Sequence, residues 1–296
     1  MISKIGFENP RLRGVGIDVL TLHEIRQRAP KTLIAPQRVG FCFLMLIQEG
    51  TCRHTIDFVD YDLRPGSVVF LRPGQVQQWH MHDEMQGLVV LVADQNMMPS
   101  NGRLEQSLNL LSLDQWPAAV TLSMGLFLQA YSDAIRLRNE ILNFNDSDRE
   151  TAIIWHAMLA LLLRLARELR VGDVSEQAKP DADIFRMFSQ ALENSFNKRL
   201  TVLDYARKLG YAQSTLSRAC VATVQMTAKE VIDQRVVLEA KRLLVHSNAT
   251  SAQIGYQLGF PEPSNFVKFF RRMTGTTPLV YKKKQHIETF QQHASP

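Results

Sequence analysis

The sequence is poor in cysteine and has neither a long apolar run nor a low-complexity tract. Its three cysteines, Cys42, Cys52 and Cys220, lack the spacing of a metal site and cannot all pair, which favours a reducing cytoplasm. The longest apolar runs, such as FCFLMLI at 41–47, fall far short of the roughly 20 residues that a membrane helix needs. The N-terminus has no apolar core of signal-peptide type, so a cytoplasmic protein is predicted.

Positive charge is concentrated in the C-terminal part of the chain. Residues 1–180 hold 18 Lys and Arg against 20 Asp and Glu, which is −2, whereas residues 181–296 hold 16 against 9, which is +7. This asymmetry favours a polyanionic partner for the C-terminal part. A basic surface that merely keeps the protein soluble accounts for the charge equally well.

The hydrophobic pattern changes twice, and 296 residues are enough for two domains. From about 34 to 94, short apolar runs alternate with turn signals, which predicts a small antiparallel barrel or sandwich. From about 121 to 171 the pattern is helical, and the segment 150–170 is apolar over more than one face, as in a helix that is buried or shared with a partner chain. The polar segment that follows breaks all periodicity and is interpreted as an interdomain linker.

A repeated unit follows this linker. LDYARKLGYAQSTLSRAC at 203–220 parallels SAQIGYQLGFPEPSNFVKFF at 251–270, with LGY matching LGF and one residue inserted in the second copy. Each copy has a short amphipathic helix, a Gly-containing turn and a second short helix, which is the outline of a helix-turn-helix. Between them, 228–248 predicts a helix of roughly 30 Å, close to the ~34 Å between successive major-groove faces of DNA.

The second helix of a helix-turn-helix presents its outward face to the major groove. We expect these faces to read bases through Gln213, Ser214, Ser217 and Arg218 in the first unit, and Ser264, Asn265, Val267 and Lys268 in the second. Arg and Lys can donate to guanine, Asn and Gln can pair with adenine, and Val can touch a thymine methyl group. Arg271, Arg272 and the lysines at 282–284 are better placed for phosphates. A solvated helix face explains any single residue equally well, but two copies of the constellation favour DNA.

The C-terminal residues resemble the AraC/XylS family of transcription regulators. The resemblance is carried by LGF at 258–260, SNF at 264–266, FFR at 269–271, and GTTP at 275–278 followed by Tyr281 and Lys282. It covers roughly residues 183–284 and implies an all-α DNA-binding domain with two helix-turn-helix units. The first unit departs from the family pattern, which usually has Ser at Ala212, Phe at Cys220 and Gly at Gln225; losing a side-chain cap costs ~1 kcal/mol.

The N-terminal part also resembles the sensor domain of this family through its two Arg-Pro-Gly turns, at 64–66 and 72–74. The resemblance implies a cupin-like β-barrel with a small-molecule effector inside it, followed by helices that form a homodimer; RNA polymerase is a further partner that it allows. Phe43, Gln77, Trp79 and His80 are the candidate ligand-binding residues, although aromatic side chains in a small barrel are also ordinary core.

The complete prediction is an α+β protein that regulates transcription by binding DNA. Residues 1–172 form the cupin-like sensor and dimerisation domain, 173–182 the linker, 183–284 the double helix-turn-helix domain and 285–296 a tail. Neither a cofactor nor a catalytic residue is predicted.

Two alternatives stay open. A metal-dependent cupin enzyme is one, because His80-Met81-His82 has ligand-like spacing and His54 lies on an earlier strand; a Gln at position 77 stands where such an enzyme has His. The other is a regulator that responds to a protein partner instead of a small molecule.

Overall fold

The computed structural model describes residues 3–7, 9, 12, 15–28, 35–80, 85–93, 111, 113, 116–169 and 179–293. The chain divides into two compact units, Ile2–Asp173 and Val174–Pro296. The first unit is rich in β-structure and the second is helical, as expected for an α+β protein. No helix among the described residues has the length and apolarity needed to cross a bilayer.

Two five-stranded sheets form the β-rich part of the first unit. In chain order the elements are β1 (Ser3–Ile5), β2 (Ile17–Thr21), α1 (Leu22–Arg28), β3 (Gln37–Val39), β4 (Phe41–Glu49), β5 (Cys52–Ile56), β6 (Val59–Leu63), β7 (Ser67–Leu71), β8 (Val76–His80), β9 (Gln86–Ala93) and β10 (Ala119–Thr121). One sheet has the order β1-β3-β8-β5-β6 and the other β10-β7-β4-β9-β2. The architecture is the predicted cupin-like one, although the described strands form two sheets and do not close into one barrel.

The second sheet is buried on both faces, because one face packs on the first sheet and the other on two helices. Along β4 the side chains alternate between these two cores: Phe41, Phe43, Met45 and Ile47 on one side, Cys42, Leu44 and Leu46 on the other. Successive side chains of a strand point to opposite faces. The uninterrupted apolar run FCFLMLI is therefore explained by a strand in a central layer.

The two helices are α2 (Met124–Leu142) and α3 (Asp148–Glu168). The sequence prediction of a helix buried on several sides applies to α3, which buries Ile154, Met158 and Leu162 among others. On α2, Arg138 joins the helix to the sheet: its guanidinium donates to the Val19 carbonyl at 2.7 Å and forms an ion pair with Glu24 at 2.8 Å. The hydrogen bond from Arg138, together with those from Thr21, lowers the pKa of the Glu24 carboxyl to about 2.

The second unit consists of helices joined by short turns. They are α4 (Lys179–Glu193), a single 3₁₀ turn (Phe196–Lys198), α5 (Val202–Leu209), α6 (Gln213–Val224), α7 (Ala228–His246), α8 (Ser251–Gln257), α9 (Pro263–Thr274) and α10 (Pro278–His293). Because α4 begins at Lys179, the last four residues of the predicted linker are helical. Residues 173–178 of that linker lie outside the described part of the chain, and its boundaries stay a prediction.

The repeat predicted from the sequence is present in the structure. Both copies begin with a threonine capping box, Thr201 with Asp204 before α5 and Thr250 with Gln253 before α8. In both copies the aromatic residue after the turn donates its backbone N–H to a carbonyl five residues earlier, at 2.9 Å. The two units therefore share local hydrogen bonding as well as a hydrophobic pattern.

The turn glycines meet different surroundings. Gly210 and Gly259 have φ of +75° and +77°, in the left-handed region that favours glycine. A Cβ on Gly210 would meet no atom within 4 Å, whereas a Cβ on Gly259 would lie 2.3 Å from the Asn197 backbone oxygen. The turn of the second helix-turn-helix therefore packs closely against the 3₁₀ turn that precedes the first helix-turn-helix.

Candidate nucleic-acid interface

The first recognition helix, α6, follows Gly210 and begins after Ala212. It buries Leu216, Ala219 and Cys220 against the core of the unit. On the opposite side, Gln213, Ser214 and Arg218 are exposed and Ser217 is half-buried, as the sequence predicts. The helix therefore presents a polar face of about two turns to solvent.

The ends of α6 show the departures from the family pattern that the sequence indicated. Ala212 occupies the N-cap position and provides no side-chain hydrogen bond, and Gln225 ends the helix with φ of +57°. At the equivalent end of α9 stands Gly275, with φ of +76°. A non-glycine residue in this conformation costs roughly 1–2 kcal/mol, so α6 has weaker ends than its counterpart.

The second recognition helix, α9, starts at Pro263 immediately after Glu262. Proline is tolerated there because the first N–H groups of a helix have no intrahelical partner. Phe266, Phe269 and Phe270 are buried. The opposite face exposes Ser264, Asn265, Lys268, Arg271 and Arg272, with Val267 half-buried, so the structure brings the predicted residues of this helix onto one surface.

The cations on the two faces differ in their partners. Arg218 forms an ion pair with Asp181 of α4, with Nη2 and Oδ1 3.1 Å apart. Lys268 has no ion pair among the described residues. Arg272 pairs with Asp233 at 2.9 Å, and Lys282 donates to the Ser247 carbonyl at 3.0 Å, where it closes the end of α7. Lys282 thus has a structural contact that the sequence prediction of a phosphate-binding lysine did not include.

A basic cleft of about 450 Å³ opens beside α9. It is lined by Arg199, Lys229, Phe260, Pro261, Asn265, Lys268, Phe269 and Arg272. Sequence reasoning missed Arg199 and Lys229, because they lie in a loop and in α7, far along the chain from the recognition helix. No spacing rule links them; only the fold brings them together.

In the first unit, three of the four candidate ligand-binding residues meet between the two sheets. The Phe43 and Trp79 rings make an edge contact at 5.8 Å, and the Trp79 indole N–H donates to Gln77 Oε1 at 2.8 Å. His80 lies on the opposite face of β8, where its Nε2 is 3.0 Å from the Thr55 hydroxyl, so it does not join this cluster. His54 takes its place, with Nε2 2.9 Å from Gln77 Oε1.

The protonation of His54 follows from these contacts. An indole N–H can only donate, so Gln77 Oε1 is an acceptor and His54 Nε2 must carry a proton. Burial lowers the pKa of His54 to about 4, which keeps the ring neutral near pH 7. His54 Nδ1 is then a buried acceptor, and it has no donor among the described residues.

Two family profiles match this chain, one in each of its two compact parts. The profile of the AraC-like ligand binding domain matches residues 22–96, and that of a helix-turn-helix domain matches residues 205–284. The chain belongs to the AraC/XylS family. This AraC/XylS regulator therefore combines a ligand-binding domain with a DNA-binding domain, and the function predicted from the sequence, a DNA-binding transcription regulator, is confirmed.

Two relatives that match most of the length of this AraC/XylS regulator are named as transcriptional activators. The HTH-type transcriptional activator RhaR of Cronobacter sakazakii is 23% identical over 269 residues, which cover 88% of this chain and 90% of RhaR. The activator RhaS of Escherichia coli is 21% identical over 255 residues, covering 86% and 89%. The structure of ToxT from Vibrio cholerae aligns with 90% of this chain over 97% of the ToxT chain, at 14% identity and with a TM-score of 0.43.

Proposed function

We propose that this regulator reads two adjacent major-groove segments of DNA, one with each recognition helix. The first contact uses Gln213, Ser214, Ser217 and Arg218, and the second uses Ser264, Asn265, Val267 and Lys268. The observation that carries the proposal is the repeat itself: two helices with buried apolar faces and exposed polar faces, joined by α7 of 19 residues. At 1.5 Å per residue, α7 is roughly 28 Å long, near the ~34 Å of one DNA turn.

We further propose that α9 dominates base reading. Lys268 is exposed and has no ion pair among the described residues, whereas Arg218 must leave Asp181 before it can donate to a base. The ends of α6 are also weaker, as the uncapped Ala212 and the left-handed Gln225 show. Arg271 and Arg272, at the end of α9, then contact the DNA backbone.

For the first unit we propose an effector site between the two sheets, bounded by Phe43, His54, Gln77 and Trp79. His54 Nδ1 is the group that supports it, since a buried acceptor without a donor is costly and is satisfied by a ligand hydroxyl or amine. The aromatic rings offer apolar surface beside it. The expected effector is therefore a small molecule with at least one O–H or N–H donor and an apolar face.

The effector proposal is tested by thermal-shift screening of the full chain against small compounds that carry hydroxyl or amino groups. We expect a compound that raises the melting temperature of the wild type and changes its affinity for DNA, and that does neither in Gln77→Leu, because this variant loses the acceptor that orients His54. Thr55→Val, on the opposite face of the same sheet, serves as the control and should respond like the wild type. A compound that acts equally on Gln77→Leu contradicts the assignment.

We propose that α2 forms the homodimer contact. Leu128, Ile135 and Leu142 recur every seven residues and are 57%, 42% and 54% exposed, so they form one apolar stripe. The sequence pattern of 150–170 predicts a helix that is either buried on several sides or shared with a partner chain. In the described part of that segment, α3 turns most of its large apolar side chains inward, and His156 is exposed, with its Nδ1 2.7 Å from the Ala152 carbonyl oxygen.

Ile135→Asp is expected to convert the dimer to a monomer, because it places a carboxylate in the middle of this stripe. Sedimentation velocity of the full chain measures the change. Gln129→Asp adds the same charge to an exposed position of α2 off the stripe and should leave the dimer intact. Equal sedimentation of Ile135→Asp and wild type would rule out α2 as the contact.

We also propose that the protein is a regulator and not a metal-dependent enzyme. The named relatives RhaR and RhaS are transcriptional activators, which supports this proposal. For the same reason we propose that the protein acts in the cytoplasm and activates transcription through RNA polymerase. His54 lies between the two sheets and His80 on the opposite face of β8, so these two imidazoles do not face a common site. His82 of the His80-Met81-His82 motif lies outside the described residues. Metal analysis of the purified protein tests the enzyme alternative: stoichiometric metal that His80→Ala removes would support it.

A further inference from the structure

The basic cleft beside α9 combines side chains from three separate elements. Arg199 comes from the loop after the 3₁₀ turn, Lys229 from the first turn of α7, and Lys268 and Arg272 from α9. Asp233 contacts two of these cations; it accepts from Lys229 and from Arg272, each at 2.9 Å. Four cations against one carboxylate leave the cleft with a formal charge of +3.

Arg199 is the only one of these four cations that is half-buried; the other three are exposed. Its guanidinium lies 4.3 Å from the centre of the Phe260 ring and 5.3 Å from that of Phe269, and it is half-buried. Among the described residues it makes neither a hydrogen bond nor an ion pair. The ring faces and the Coulomb attraction of Asp233 offset part of the cost of burying this cation, and a bound anion would offset more of it.

The fold holds Arg199 in this position by a close backbone contact. Arg199 adopts φ of +53°, which turns the chain at the end of the 3₁₀ turn. The turn then packs on Gly259, where a Cβ would lie 2.3 Å from the Asn197 oxygen and 3.0 Å from Arg199 Cγ. A left-handed non-glycine residue costs roughly 1–2 kcal/mol, and such cost is typical of positions with a functional role.

Asp233 positions two other cations of the cleft, Lys229 and Arg272. Its side chain is 12% exposed, while those of Lys229 and Arg272 are 67% and 58% exposed. The buried carboxylate therefore anchors one side of each cation and leaves the remaining N–H donors directed to solvent. Planar guanidinium groups and an ammonium group arranged in this way suit the oxygens of a phosphate.

We infer that the cleft binds a phosphate group of the DNA backbone, held by Arg199 and Lys229 together with Arg272, at the rim of the major groove that α9 enters. The inference rests on the proposed function, because the DNA backbone is the source of the phosphate. Asn265 and Lys268 line the same cleft and lie on the base-reading face, so a ligand in the cleft is adjacent to the groove. A free phosphate or phosphorylated metabolite is the alternative source with the same chemistry.

The test measures the affinity of the full chain for two DNA duplexes of about 30 base pairs. One is a preferred sequence obtained by selection and the other is its scrambled form, and KCl is varied from about 50 to about 300 mM. Arg199→Gln and Lys229→Gln should each bind both duplexes about eightfold more weakly near 0.1 M salt, with the slope of log K against log salt reduced by about 0.9, which is one phosphate contact. The ratio between the two duplexes should stay unchanged.

Lys198→Gln is the matched control, since Lys198 is exposed, adjacent to Arg199 and outside the cleft. It should keep the wild-type slope. Arg199→Lys retains the charge and should restore most of the slope. Lys229 is largely exposed, so Lys229→Gln tests the site even where Arg199→Gln lowers stability.

The outcomes separate the two proposals. Unchanged slopes in both Gln variants overturn the phosphate contact while sequence preference, and with it the proposed function, stands. If the wild type binds the preferred and the scrambled duplex equally well, the proposed function is contradicted. If the slopes are unchanged but inorganic phosphate raises the melting temperature of the wild type and not of the variants, the site takes a free anion and the DNA assignment is overturned.

Discussion

Gly259→Ala is expected to unfold the helical unit at a much lower denaturant concentration than the wild type, with a loss of about 3–5 kcal/mol in free energy of unfolding. Two causes add. A Cβ at this position lies 2.3 Å from the Asn197 backbone oxygen, and backbone cannot yield as a flexible side chain can. Alanine also resists the φ of +77° that the turn requires.

The tryptophans allow this loss to be measured in the full chain. The three tryptophans, at positions 79, 116 and 155, all lie in the first unit, so their fluorescence follows that unit alone, while far-ultraviolet circular dichroism follows the helices of both. In Gly259→Ala the circular dichroism transition should shift and the fluorescence transition should not.

Gly210→Ala is the matched control, because Gly210 has nearly the same φ but no atom within 4 Å of the added Cβ. It carries the conformational cost alone, about 1–2 kcal/mol, less the entropy that alanine removes from the unfolded chain. Equal destabilisation by the two substitutions would contradict the close contact between the second turn and the 3₁₀ turn.

Lys268→Ala is expected to have the largest effect on DNA recognition. If Lys268 donates to a guanine, its loss removes about 1–3 kcal/mol of discrimination at one base pair, which is roughly 5- to 150-fold in relative affinity. Lys268 is exposed in the middle of α9, and the burial of Phe266, Phe269 and Phe270 fixes the orientation of that helix. Competition binding of single-base variants of the preferred duplex measures the effect.

Arg218→Ala provides the comparison within the first helix-turn-helix. A smaller loss is expected, because Arg218 is paired with Asp181 in the free protein and α6 has weaker ends. If Lys268→Ala weakens binding equally to all sequences, Lys268 is a phosphate contact and the assignment of its base-reading role is wrong. If Arg218→Ala has the larger effect, the ranking of the two units is reversed.

The sequence was sufficient for the helix-turn-helix repeat because local rules determine it. LGY and LGF give a left-handed glycine after a short amphipathic helix, and the structure has both. Pro263 at the start of α9 follows from helix chemistry in the same way. The threonine capping boxes at Thr201 and Thr250 were a further local signal, since each threonine is followed three residues later by Asp or Gln.

Contacts between distant segments could not be predicted in this way. Arg199 reaches the cleft because Gly259 admits the 3₁₀ turn, and Lys229 reaches it from the separate helix α7. His54 joins Gln77 through the pairing of β5 with β8. The position of His80 on the opposite face follows instead from the alternation of side chains along β8. The pair of Arg218 with Asp181 spans two helices, and it changes the expected rank of a residue whose position was predicted correctly.

The most direct test of two-site DNA reading is selection of random-sequence duplexes by the full chain. Two-site reading predicts enrichment of two sequence blocks with centres about 10 base pairs apart, one helical turn, and a sharper preference within one block than the other. In Lys268→Ala the sharper block should lose a base preference while the second block persists. A folded full chain that enriches no sequence over the starting pool would contradict DNA reading by the two recognition helices.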